Sequence, residues 1–201
     1  MAVDTNTISQ LRAHTGAGMV DCKKALDESG GELQAAVEIL RKKGIAKADK
    51  KGERSVKEGL VHAYIHGDGQ VGALVEVLCE TDFVARNEQF QEFVHDIAMQ
   101  VTAANPLYLS AEEIPAEVIE KERELAAEEF AGSGKPQEVI DKIIEGKLGK
   151  YYEDVCLLNQ RFIKDEDLTI ERLVKETIAK IGENIQIKRF VRFALSAGDE
   201  S

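Results

Sequence analysis

Four histidines, His14, His62, His66 and His95, are the side chains here best suited to move a proton or hold a metal near neutral pH. His62 and His66 share one face of a predicted strand with Tyr64 between them, so any acid–base or zinc chemistry would start there. Their spacing argues against it. Two residues four apart on a strand lie roughly 13 Å from end to end, too far to chelate one zinc together. They are expected on the surface or against a partner. The turn Gly16-Ala17-Gly18 leads into Met19 and Val20, with no lysine and hydroxyl of a phosphate-cradling loop and no preceding strand. The chain is therefore expected not to bind nucleotide itself. No nucleophile elbow, HExxH helix or EF-hand loop gives hydrolytic or calcium chemistry a starting point, and no cofactor is expected. An enzyme would need a pocket joining His62, Tyr64, His66 and Asp82.

The unusual stretch is Glu80-Thr81-Asp82-Phe83-Val84-Ala85-Arg86-Asn87, a polar and aromatic segment between an apolar strand and an amphipathic helix. Its plainer role has Asp82 or Asn87 capping the helix and Phe83 tucked into the core. In the alternative, Phe83 is presented on a rigid element as an anchor that enters a partner.

The elements that must hold this segment follow from periodicity. Thr7-Ile8-Ser9-Gln10 reads as a capping box opening a helix that stops near His14. A second helix spans Val20 to Ser29 with Cys22, Ala25 and Leu26 on one face, closed by Gly30-Gly31. Leu33, Ala36, Val37 and Leu40 give a third its apolar stripe, with Gly44 as the stop and Arg41, Lys42 and Lys43 offsetting the dipole in its last turn. Residues 46–55, with Lys47, Lys50, Lys51 and Arg54, read as a basic linker.

Val61, Ala63 and Ile65 alternate with polar residues, Gly67-Asp68-Gly69 turns the chain, and Val71, Ala73, Val75 and Val77 alternate back. This predicts a hairpin with one apolar face. Phe90, Phe93, Val94, Ile97 and Val101 form a helical stripe that would pack on that face. Pro106 and Pro115 bracket a loop, and Ala116 to Phe130 is a helix ended by Gly132 and Gly134. Pro136 opens another, carried by Val139, Ile143, Ile144, Leu148, Tyr151 and Tyr152 but interrupted by glycines. A turn-rich Lys164 to Asp167 precedes a helix with Leu173 and Ile178. A strand from Ile185 to Leu195 closes the chain, and Phe190, out of phase with Val191, Phe193 and Leu195, predicts a bulge or burial on both faces. The fold class is α+β: a three-helix module over 1–45, the linker, and a core of antiparallel strands packed with helices over 56–201.

With 201 residues, 43% hydrophobic and 31% charged, the chain can bury a core without metals or disulfides. A formal charge of -11 argues against coating nucleic acid, and RNA contact is not expected even at the basic linker, which lacks interleaved aromatics. Cys22, Cys79 and Cys156 fit neither a disulfide framework nor a zinc site, and point to a reducing cytosol. Cys156, between Val155 and Leu157, reads as a small buried hydrophobe rather than a bridge between copies. Met1 to Thr7 carries no export signal, and no stretch approaches the ~18 apolar residues of a membrane span. A cytoplasmic protein is expected.

Three ordered motifs give the sequence a family likeness. They are Leu11-Arg12 with Thr15-Gly16-Ala17-Gly18-Met19-Val20-Asp21-Cys22-Lys23-Lys24-Ala25-Leu26, then Glu80 to Asn87, then Gly146-Lys147-Leu148-Gly149-Lys150-Tyr151-Tyr152 through Gln160. In these the chain resembles the elongation factor Ts family from end to end. The resemblance implies a guanine-nucleotide exchange factor for elongation factor Tu, not an enzyme, that binds the GDP-bound and nucleotide-free GTPase. It implies a ubiquitin-associated-like helical module that docks through Leu11, Met19 and Val20, residues whose plainer role is to fill that module's core. It implies that Thr81, Asp82, Phe83 and Val84 disturb the partner's magnesium site, with Arg86 and Asn87 beside them. Longer members carry two related subdomains and an inserted coiled coil where this chain has one core, so a homodimer binding two copies of elongation factor Tu is expected. The rival from another class, an adaptor for ubiquitin-like folds, would not need the Thr81 to Asn87 stretch.

Overall fold

The computed structural model describes residues 4–130 and 134–195. In chain order it holds α1 (Thr5–Thr15), α2 (Met19–Glu28), α3 (Leu33–Lys51), β1 (Glu58–His66), β2 (Val71–Cys79), α4 (Asp82–Ala85) and α5 (Glu88–Ala104). There follow α6 (Ala116–Glu128), α7 (Gln137–Val155), β3 (Arg161–Phe162), β4 (Asp165–Thr169), α8 (Ile170–Ile181) and β5 (Ile185–Ala194). Strands β1, β2 and β5 form one sheet in that order, and β3 pairs with β4 in an antiparallel ribbon. The α+β class expected from the sequence holds.

The chain divides into two compact units, the first from the described residues of Met1–His62, Glu76–His95 and Arg172–Lys188. Its N-terminal helices enclose Ile8, Leu11, Cys22, Ala25, Leu26, Ala36 and Leu40. Gly16, in the left-handed conformation, ends α1 by donating its N–H to Arg12 O at 2.8 Å. The expected capping box is absent: α1 begins three residues earlier, with Asp4 rather than Thr7 at the N-cap, and Ser9 Oγ instead donates back to Thr5 O.

Gly44 does not stop α3, which runs on to Lys51, so the linker expected at 46–55 is helical over its first half. A β-carbon at Gly44 would lie 3.1 Å from the Ala179 side chain, so the glycine serves close approach of α8 rather than termination. Ion pairs from Arg41 to Glu176 at 2.5 Å and from Lys175 to Asp49 at 3.1 Å join the same two helices. Arg41, Lys42 and Lys43 are therefore mid-helix, and the cations that meet the dipole's negative end are Lys50 and Lys51.

The second unit comprises Ala63–Val75, Asp96–Glu171 and the described part of Arg189–Ser201. Here β1 departs from expectation. Ala63 and Ile65 face solvent, as Val61 does in the first unit, whereas Tyr64 and His62 are half-buried. The alternation was read correctly and its direction was not: His62 meets His95 of α5, on the side opposite Val61. A β-carbon at Gly72 would lie 2.7 Å from Ile65 Cδ1, which places Ile65 on the face opposite Ala73 and Val75, both buried. In β5 the burial phase slips between buried Ile187 and half-buried Phe190, as the out-of-phase Phe190 predicted.

Helix α7 is continuous from Gln137 to Val155 despite Gly146 and Gly149. Each glycine costs roughly 1 kcal/mol against alanine, and the packing of Ile144 and Leu148 on Ala126 of α6 offsets it. The Lys164 to Asp167 stretch is mostly strand rather than only turn. Of the two glycines expected to end α6, Gly132 lies outside the described residues. Cys156 is fully buried with a free thiol whose pKa is raised, by burial first, as expected of a small hydrophobe. Among the described residues no helix is long and apolar enough to cross a membrane.

Candidate functional site

Strand β2 ends at Cys79, and the chain turns through Glu80 and Thr81 into the single helical turn α4. Thr81 is its N-cap, with extended backbone and a hydroxyl that accepts the Val84 N–H at 3.4 Å. Asn87 Oδ1 accepts the Gln89 N–H at 2.8 Å at the start of α5, so Asn87 rather than Asp82 caps that helix. The Cys79 thiol donates to Thr81 O at 3.2 Å, and burial, followed by the nearby Glu183 carboxylate, pushes its pKa up to about 11. That thiol is unreactive at neutral pH and supports the turn from below.

Phe83 projects from this turn with 81% of its surface exposed. The core role open to it in the sequence is thereby ruled out in this structure. Leaving a Phe side chain in water forgoes about 1.5–3 kcal/mol of burial, so its display is a cost that folding alone does not explain. Asp82 is half-buried and pairs with the exposed Arg86 at 3.1 Å, one turn along, while Val84 is half-buried. Thr81, Asp82, Phe83, Val84, Arg86 and Asn87 thus share one short polar and aromatic turn.

The other candidates divide. Leu11 is fully buried in the helical core and takes the packing role. Met19 and Val20, on the first turn of α2, are exposed apolar side chains of the same unit as the Phe83 turn. His62 does not meet His66. Its Nε2 lies 3.1 Å from His95 Nδ1 in an edge-on ring contact, and His66 Nδ1 meets the Tyr64 hydroxyl at 3.0 Å.

Sequence reasoning missed the residues that hold the turn. The Glu183 carboxylate accepts the Thr81 hydroxyl at 2.7 Å and the backbone N–H groups of Thr81 and Glu80 at 3.0 and 3.1 Å. The Asn184 N–H donates to Glu80 Oε1 at 2.6 Å. These partners stand about a hundred positions from the turn, and no local pattern marks them.

A groove of about 410 Å³ in the first unit is lined by Gly16, Gly18, Arg41, Lys43, Lys47 and Glu176 among others. Three of its cations are already engaged. Lys43 pairs with Glu28 at 2.6 Å, Lys47 with Asp21 at 2.8 Å and Arg41 with Glu176. Carboxylates in those positions leave poor electrostatics for a phosphate.

The His62–His95 pair gives the fold a pH dependence. Burial, followed by the charge of His95, lowers the His62 pKa below its ordinary 6.5. The unfolded chain then takes up a proton first as pH falls through 6.5, so stability drops until the lower folded value is passed and levels off below it. Carboxylates held low, such as Asp21 beside Lys47, lose their contribution only at more acid pH. Urea denaturation at pH 7.5 and 5.5 should show a lower midpoint at 5.5, and His62→Gln should shrink the difference; an undiminished difference would contradict this assignment.

Against known proteins, the model of the family described as Elongation factor TS matches residues 46–196. "Elongation factor Ts" of Carboxydothermus hydrogenoformans is 53% identical over 196 residues, covering 98% of this chain and 90% of its own length. That of Geobacter metallireducens is 53% identical over 198 residues, covering 98% of this chain and 92% of its own. That of Thermoanaerobacter sp. (strain X514) is 52% identical over 199 residues, covering 99% and 98%. The matched region contains the Phe83 turn and the Glu183 and Asn184 that hold it, and the relatives cover the N-terminal helices too. The chain belongs to the elongation factor Ts family.

Proposed function

We propose that the chain is a guanine-nucleotide exchange factor for elongation factor Tu in translation elongation, acting by binding and without covalent chemistry. The observation that carries this is Phe83, 81% exposed on a capped turn within a family member. Phe83 enters the GTPase beside its nucleotide, and Thr81, Asp82 and Val84 accompany it. Magnesium normally neutralises the phosphate oxygens of bound GDP, so structure wedged aside there leaves the diphosphate poorly held. The Asp82 carboxylate, tied to Arg86, presents acceptor oxygens on the approaching face. Arg86 and Asn87 border the contact, and Met19 and Val20 dock the N-terminal helices on the same partner. Leu11 supports that surface from within.

An exchange factor that weakens GDP binding is itself weakened by GDP to the same factor, since linkage between two ligands is reciprocal. The chain therefore stabilises the nucleotide-empty GTPase and is expelled as GTP binds. Mixed with nucleotide-free elongation factor Tu, it should co-elute as a complex on gel filtration, and excess GDP should dissolve that complex. A complex that persisted in saturating GDP would contradict the reading.

The functional particle is a homodimer carrying two copies of elongation factor Tu in the cytoplasm, with no RNA bound. Support for the dimer lies in the second unit, where Ile65, Leu74, Val191, Phe193 and Leu195 are all exposed and apolar. Large apolar side chains left exposed together in one unit are what an interaction face would use.

A further inference from the structure

We propose that the connection Gly182-Glu183-Asn184, between α8 and β5, positions the Phe83 turn for exchange, with Glu183 as its positioning residue. This rests on the exchange reading above. A helix of four residues cannot hold itself, because forming one turn fixes several backbone angles in return for very few hydrogen bonds. Something outside α4 has to hold it.

Glu183 does so through one carboxylate. Its Oε2 accepts the N–H groups of Glu80 and Thr81, and its Oε1 accepts the Thr81 hydroxyl at 2.7 Å. The hydroxyl has a single hydrogen. Donating it to Glu183 leaves its lone pairs for the Val84 N–H, which is the cap of α4. Glu183 thus orients the cap as well as anchoring the backbone before it.

The latch is reciprocal. Glu80 Oε1 accepts the Asn184 N–H at 2.6 Å, so each segment's carboxylate holds the backbone of the other. Asn184, almost fully buried, donates its side-chain amide to Gly52 O at 3.2 Å and Arg54 O at 2.8 Å. Lys51 Nζ donates to Gly182 O at 2.6 Å, and Arg54 pairs with Glu80 at 3.5 Å. The same three residues therefore grip the end of α3 and the root of the Phe83 turn. An aromatic wedge works only if held near its productive geometry, and this connection supplies the hold.

The test uses the full chain and two readouts. In the free protein, hydrogen exchange of the Thr81 and Val84 amides should speed at least about tenfold in Glu183→Ala, the loss expected for one hydrogen bond to a charged group. In Glu183→Gln these amides should stay protected, because the amide oxygen still accepts the backbone donors and the NH₂ can turn to the hydroxyl. Release of fluorescent GDP from elongation factor Tu should then fall about tenfold in Glu183→Ala and recover to within roughly threefold of wild type in Glu183→Gln. Added to Phe83→Ala, the Glu183→Ala change should cost less than about twofold more, since residues acting through one another are not additive. Unchanged amide protection in Glu183→Ala, or an equal loss with and without Phe83, overturns the proposal. If the amides respond as expected but wild type releases no GDP, the exchange reading fails and the positioning of the turn stands.

Discussion

Phe83→Ala is expected to lower the rate of GDP release from elongation factor Tu by at least about thirtyfold, the range of an aromatic interface anchor, and to leave the melting temperature of the chain unchanged. The two halves of this result separate the roles a phenylalanine can play. A core Phe truncated to alanine costs about 3–5 kcal/mol of stability, and Phe90, fully buried seven residues on, should behave that way. Phe83 is 81% exposed, so its ring contributes little to folding and its removal is felt only when a partner surrounds it. Thermal melts beside stopped-flow exchange rates check both halves. A variant that melts early yet exchanges normally would return Phe83 to a structural role.

Phe193→Glu is expected to convert the proposed dimer to a monomer at micromolar concentration. Phe193 and Leu195 are 72% and 73% exposed, and Ile65, Leu74 and Val191 accompany them on the second unit. An ionised carboxylate desolvated in an apolar interface costs several kcal/mol, which raises the dissociation constant at least about a hundredfold. Because the substituted side chain is exposed in the single chain, its fold should survive. Sedimentation velocity of wild type and variant decides the matter. A wild type that sediments as a strict monomer, or a variant that remains dimeric, removes this face from the account.

Local pattern made much of the fold legible. Cys22, Ala25 and Leu26 are buried on one helix face as their spacing requires, and Gly16 ends α1 in the conformation glycine favours. Where pattern misled, a distant partner had decided the matter. Gly44 looks like a helix stop until Ala179 is placed against it, 135 positions later in sequence. The alternation in β1 marks two faces, but only α5, which sets His95 against His62, shows which of them is covered.

The site was legible in the same uneven way. Thr81 to Asn87 stood out as polar and aromatic between two apolar elements, yet whether Phe83 pointed in or out could not be read from spacing. Glu183 and Asn184 gave no signal, because a carboxylate and an amide before a strand are ordinary in sequence. Their significance lies in hydrogen bonds closed only on folding. Leu11 could pack or dock, and its complete burial settles on packing.

The most direct measurement is the release of fluorescent GDP from purified elongation factor Tu, followed by stopped flow over a range of concentrations of the wild-type chain. The account predicts a rate that climbs with added chain, far above spontaneous release, and levels off as the complex saturates. A rate that stays at the spontaneous value across that range would contradict the exchange function itself.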